Sequence, residues 1–142
     1  GIFTESESMM YMSGRALHVH TALAWLLDYE ETLSRYLIDG LQALPGISVH
    51  GITDPDAYSR RLPTVAFTVE GVAPAMIARE LGQRRIFVWN GHNYALEVVR
   101  ALGLMEAGGV IRGGPVHYNS VEELDVLLNT LESILPRIAP VG

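Results

Sequence analysis

The sequence predicts an α+β fold: a small, mainly antiparallel four-stranded sheet with helices packed mainly on one face. Three observations point there. Long segments with apolar residues at helical spacing occupy about residues 13–44 and 121–135. Between them lie four short runs rich in branched or aromatic residues, at 47–50, 62–69, 86–89 and 110–112. Helical stretches also separate those runs, giving the order α-β-β-α-β-α-β-α, which builds one sheet backed by helices.

Taken in order, residues 1–12 mix polar, acidic and methionine side chains without a period and read as a poorly ordered lead-in. Residues 13–142 then form one domain, because no repeat, linker or low-complexity tract interrupts them. In the first helix, Leu17, Leu23, Ala24, Leu27, Leu33, Leu37 and Leu41 share a broad apolar face, and Glu31 is spaced to pair with Arg35. Pro45-Gly46 stops it. A strand at 47–50 leads into the turn-forming residues 51–61, where Asp54 and Asp56 sit in a solvated loop. Val65, Phe67 and Val69 alternate with Thr64, Ala66 and Thr68, the clearest strand signal in the chain. Pro74 opens a short helix to about Gly82, since proline suits a first helical turn. The third strand, 86–89, is followed by a loop at 90–93 and a helix at about 94–102. Glycine pairs at 108–109 and 113–114 flank the last strand and allow another backbone or a ligand to approach closely. Ser120 and Glu123 have capping-box spacing, and Leu124, Leu127, Leu128, Leu131 and Leu135 form the apolar stripe of the final helix.

Composition narrows the function classes. The 142 residues are 49% hydrophobic, enough for a real core, and the net charge of −6 argues against nucleic acid as the main partner. No apolar run approaches the ~20 residues of a membrane span, and no signal-peptide pattern opens the chain. With no cysteine there is no disulfide or thiolate nucleophile, which fits a cytoplasmic protein. All 10 basic residues are arginines, so a Walker A lysine and a Schiff-base lysine are both excluded on this chain. The first residue is Gly1, which implies a processed, cleaved or engineered N-terminus.

Two places could carry chemistry. Arg112 ends a glycine-flanked strand, where a guanidinium suits two-pronged capture of a carboxylate or phosphate. The same arginine suits an ion pair with a structural Glu or Asp, and composition alone leans slightly to that plainer reading. His92 and Tyr94, beside a glycine after an apolar run, either face a ligand or pack as rings with one satisfied polar atom. His18 and His20 are two apart and point in different directions on a helix, a poor metal site.

The segments from Arg112 to Ser120 (RGGPVHYNS) and the following VEELDVLLNTL resemble the carboxyl-terminal signature of class V aminotransferase-fold, pyridoxal-phosphate enzymes. In the cysteine desulfurase branch that signature reads R-A-S-x-x-x-Y-N-T, which Arg112, Tyr118, Asn119 and Ser120 match. Upstream, Gly91-His92-Asn93-Tyr94-Ala95 is similar to that branch's G-H-H-C-A segment. YEETLSRYLIDGLQALPG and LPTVAFTVEG resemble the start of its small domain, so the likeness covers about residues 25–135. Tyr94 stands where the branch carries its persulfide cysteine, Trp89 where an arginine is frequent, and Gly113 and Gly114 where small residues are usual. No large domain with its cofactor-binding lysine, aspartate and histidine is present.

The resemblance implies the small carboxyl-terminal domain of a desulfurase-like or aminotransferase-like enzyme. Arg112 would hold the carboxylate of an amino-acid substrate, with Trp89, His92, Asn93 and Tyr94 lining the same cleft. It implies pyridoxal phosphate in the complete enzyme and none on this chain, with the chain's own large domain as partner. A homodimer of the complete enzyme, inactivity of the chain alone, and no nucleic-acid or membrane partner go with it. The alternative is a free-standing α+β module that takes an anionic small molecule at Arg112. A third reading is a domain that chiefly binds a protein partner.

Overall fold

The computed structural model describes residues 14–138; the lead-in at 1–12 lies outside them. Helix α1 (Arg15–Ala43) comes first and is followed by strand β1 (Ile47–His50), a 3-10 turn at Pro55–Arg60 and strand β2 (Val65–Val69). Helix α2 (Pro74–Gly82), strand β3 (Trp89–Gly91), helix α3 (Leu96–Ala101), strand β4 (Val110–Gly113) and helix α4 (Val121–Ile138) complete the order. The sheet runs β1-β2-β4-β3 with every neighbouring pair antiparallel. The predicted α+β fold and four-stranded sheet are therefore observed.

The core lies between one sheet face and helices α1, α2 and α4. Val65, Phe67 and Val69 of β2 and Ile111 of β4 meet Leu33, Leu37 and Leu41 of α1, Ile77 and Leu81 of α2, and Leu124, Leu127 and Leu131 of α4. Burial of each large aliphatic or aromatic side chain is worth about 1.5–3 kcal/mol. Gly40 lets α1 and α4 close together, because a Cβ there would overlap the Leu128 side chain. Ile134, unmarked by the leucine stripe, is also fully buried.

Five local expectations are corrected. Only the C-terminal half of α1 is covered; Leu23 and Leu27 project into solvent, and Ala24 is exposed. The 29-residue helix is roughly 44 Å long at about 1.5 Å per residue, far longer than the 4- and 5-residue strands it crosses. Strand β2 begins at Val65, after Pro63, which has no N–H to donate. The Asp54–Asp56 loop is not merely solvated: Asp54 Oδ1 accepts from the Asp56 N–H at 3.1 Å and caps the 3-10 turn.

The third strand is Trp89–Gly91, displaced from the expected 86–89, and so Asn90 and Gly91 are strand and not loop. Ile86 and Val88 do pack against the core, but no partner strand bonds them. β4 continues into Gly113-Gly114-Pro115, and Pro115 cannot extend a ladder. The branched residues there reported burial, not strand pairing. Helix α3 starts at Leu96 and not at Tyr94, because Tyr94 has a positive φ of 61°.

Candidate functional site

The site grows from the register of the sheet. His50 pairs with Ala66, Ala66 with Arg112, and Arg112 with Trp89, so the four form one row across β1, β2, β4 and β3. Directly paired residues project to the same face, and successive residues alternate. Phe67 and Ile111 belong to the helix-covered core. Arg112 and Trp89 therefore occupy the opposite, open face.

Arg112 is half-buried, and its guanidinium makes no hydrogen bond or ion pair among the described residues. Acids that do pair with basic groups are engaged elsewhere: Glu31 with Arg35, Glu80 with Arg84, Glu97 with Arg100 and Glu30 with His117. Among the described residues, the internal ion pair that the residue type allowed is not formed. Trp89, its cross-strand neighbour, is 66% exposed. At the far end of the row, His50 Nε2 lies 2.9 Å from Thr68 Oγ1, and burial pushes the imidazole below its usual pKa.

Past Gly91 the chain makes a tight turn. Asn93 and Tyr94 both have positive φ, at 50° and 61°. Asn93 Nδ2 donates to the Gly91 carbonyl at 3.0 Å, and the Tyr94 N–H donates to His92 Nδ1 at 3.1 Å. The Ala95 N–H closes the turn on the His92 carbonyl at 2.8 Å. A tyrosine in the left-handed region is uncommon, and here it leaves the ring 92% exposed, edge-on to His92 at 6.2 Å between centroids. The structure therefore joins Trp89 directly to Arg112, while His92, Asn93 and Tyr94 leave from the same strand end without touching Arg112 through any described hydrogen bond.

Backbone packing sets where that turn begins. Gly109 has φ 89°, and a Cβ on it would fall on the Gly91 carbonyl group. The close approach expected at the glycine pair is made by another backbone.

The segment after Arg112 is locked at three points. Asn119 Oδ1 accepts from the Val116 N–H at 3.0 Å, and Asn119 Nδ2 donates to Glu123 Oε2 at 3.0 Å. The capping box forms as predicted: Glu123 Oε2 accepts from the Ser120 N–H at 3.1 Å, and Ser120 Oγ accepts from the Glu123 N–H at 3.4 Å. Donation by Asn119, then by the Ser120 backbone, holds the Glu123 carboxyl below its usual pKa. From α1, Tyr29 Oη donates to the Asn119 carbonyl at 2.9 Å and Glu30 Oε1 accepts from the His117 N–H at 3.1 Å. Nothing in the sequence marks Tyr29 and Glu30 for this role, since they stand 90 and 87 positions from their partners.

A cleft of about 340 Å³ was also missed. It opens on the covered side between 86–88, Gly113-Gly114-Pro115 and α4, and none of Arg112, Trp89, His92, Asn93 or Tyr94 lines it. The sequence hint was there: Pro115 ends the ladder that would have closed the gap.

Fold and face together define a one-sided α+β domain whose open sheet face carries one guanidinium beside an indole. The chain belongs to the aminotransferase class-V family, whose profile matches residues 8–127. It is 36% identical over 112 residues to an aminotransferase-like protein of Gibberella zeae, covering 78% of this chain and 27% of that protein. To a probable cysteine desulfurase of Synechocystis it is 29% identical over 108 residues, covering 76% of this chain and 24% of the relative. Among solved structures, a cysteine desulfurase from Thermococcus onnurineus superposes with a TM-score of 0.68 at 30% identity, over 76% of this chain and 25% of that one. The chain thus spans about a quarter of the length of the relatives it matches. No helix among the described residues is long and apolar enough to cross a membrane.

Proposed function

We propose that this chain is the small carboxyl-terminal domain of a pyridoxal-phosphate enzyme of the cysteine desulfurase-like or aminotransferase-like kind, acting on an amino acid in the cytoplasm. The quarter-length match to longer relatives supports a large partner domain over a free-standing anion-binding module. The complete enzyme would work as a homodimer. Pyridoxal phosphate, when bound, supplies an electron sink for chemistry at the amino acid's α-carbon. The residues present here do not fit its attachment: all 10 basic residues are arginines, so the lysine must come from the large domain.

What this chain contributes is orientation. One observation carries the reading: Arg112 stands on the open face with no acid to satisfy it among the described residues. Its guanidinium would grip the substrate carboxylate through two parallel hydrogen bonds. The left-handed turn at Asn93 and Tyr94 would wall the same cleft, with His92 Nδ1 steadying the Tyr94 backbone. Excluding water there would strengthen the ion pair and hold the reacting amino acid in one pose.

Arg112→Lys in the complete enzyme tests this. The charge stays but the fork geometry is lost, so amino-acid affinity should fall by roughly 2–3 kcal/mol while the melting temperature holds. A structural arginine would do the reverse, lowering the melting temperature and leaving affinity intact.

A further inference from the structure

The row that carries Arg112 also limits what can sit beside a carboxylate held there. Its immediate neighbours are Trp89 on β3 and Ala66 on β2. Two residues back along β4, on the same face, is Val110, which is buried. The other pairs of rings among the described residues are Trp25–Tyr29, His92–Tyr94 and His117–Tyr118, so the Trp89 indole is stacked on none of them.

No second cation stands in the row. His50 lies beyond Ala66 with Nε2 engaged by Thr68, and burial lowers its pKa, disfavouring the charged form. One guanidinium matches one carboxylate.

We propose that the amino acid taken by Arg112 is monocarboxylic and carries an apolar, preferably aromatic, side chain seated against the Trp89 indole. The inference rests on the reading of Arg112 as the carboxylate anchor. Cross-strand neighbours stand about 5 Å apart at Cβ, so a side chain leaving a carboxylate on Arg112 passes over Trp89 or Ala66 within its first few atoms. An aromatic ring there gains an offset or edge-on contact with the indole and removes exposed apolar surface from water. The second carboxylate of a dicarboxylic amino acid lying along the row would meet the Trp89 indole and the Ala66 methyl group. Against those two groups it would lose hydration with no donor in return, since the next polar groups on that face, Thr68 and His50, already engage each other at 2.9 Å. Discrimination then comes from the unpaired charge more than from the fit of the ring, the stronger of the two ways to reject a competitor.

The test compares L-phenylalanine with L-aspartate by titration calorimetry on the complete, cofactor-loaded protein. L-Phenylalanine should bind at least tenfold tighter. Trp89→Arg should move the ratio at least tenfold toward L-aspartate, because it puts a second guanidinium directly across from Arg112. Should that variant fail to fold, Trp89→Ala serves: it should weaken L-phenylalanine and leave L-aspartate where it was. Equal or tighter binding of L-aspartate by the unaltered protein overturns the inference, as does a ratio indifferent to both Trp89 variants. Arg112→Lys separates the two levels. If it weakens both ligands while L-aspartate wins, only the specificity is wrong. If it weakens neither, the carboxylate anchor itself is wrong and the specificity falls with it.

Discussion

Gly109→Ala puts the backbone crossing beneath the candidate site under direct test. Gly109 has φ 89°, and an added Cβ would lie on the carbonyl carbon and oxygen of Gly91. Forcing a residue with a side chain into the left-handed region costs about 1–2 kcal/mol. Overpacking adds roughly 1–3 kcal/mol, toward the upper end here because backbone cannot rotate away as a side chain can. Gly91 is further restrained by its pairing with Val110, so relief requires breaking the end of the β3–β4 ladder. The total, about 3–5 kcal/mol, is a large part of the 5–15 kcal/mol that holds a typical domain folded. Gly103 supplies the control, with a φ of 70° and nothing within 4 Å of an added Cβ, so Gly103→Ala should show the conformational cost alone. Equilibrium urea unfolding of both variants measures the difference, and amide exchange at Gly91 and Val110 locates it. If the two variants agree within about 1 kcal/mol, the backbone contact is not what positions the turn before His92.

Ser120→Ala should cost about 1 kcal/mol in urea unfolding, since it removes the acceptor for the Glu123 N–H at the start of α4. Stability should also fall with acidification in two windows. The His50 pKa is lowered by burial, so its contribution is complete above 6.5 and lost as pH drops through the lower folded value. Glu123, held down first by Asn119, behaves likewise below 4.5, and Glu123→Gln should flatten that second decline. Mixed with pyridoxal phosphate, the isolated chain should show no saturable lysine-bound chromophore and no turnover; a stoichiometric one with turnover contradicts the domain assignment. The complete enzyme should transfer no sulfur from cysteine to an acceptor protein by way of Tyr94, a phenol where the desulfurase branch carries a thiol. Transfer at ordinary desulfurase rates, with no other cysteine responsible, would show that Tyr94 does not occupy that position.

Several features were legible in the one-dimensional pattern because their causes are local. The capping box of Ser120 and Glu123 closes within four residues, and the Glu31–Arg35 pair within one helical turn. Alternation at Val65, Phe67 and Val69 placed β2, since burial on one face imprints a period of two. Pro45-Gly46 marked the end of α1 within two residues of where it falls. The pattern also singled out Arg112 as a cation on a strand.

Which way Arg112 faces, and what stands next to it, depended on register, which joins residues tens of positions apart. The pairing of Ala66, Arg112 and Trp89 is decided by hydrogen bonds between strands and by the Gly109–Gly91 crossing. The same holds for the shift of β3 to Trp89–Gly91, because Ile86 and Val88 look alike to a hydropathy pattern whether or not a partner strand bonds them. Tyr29 and Glu30 reach the Asn119 loop only once α1 lies across the sheet. By itself the sequence determined the elements, their order and the residue types available for chemistry, all consequences of short-range sterics and hydrophobic period. The tertiary structure decided which of those residues share a face, because only folding brings distant backbone donors and acceptors into one ladder.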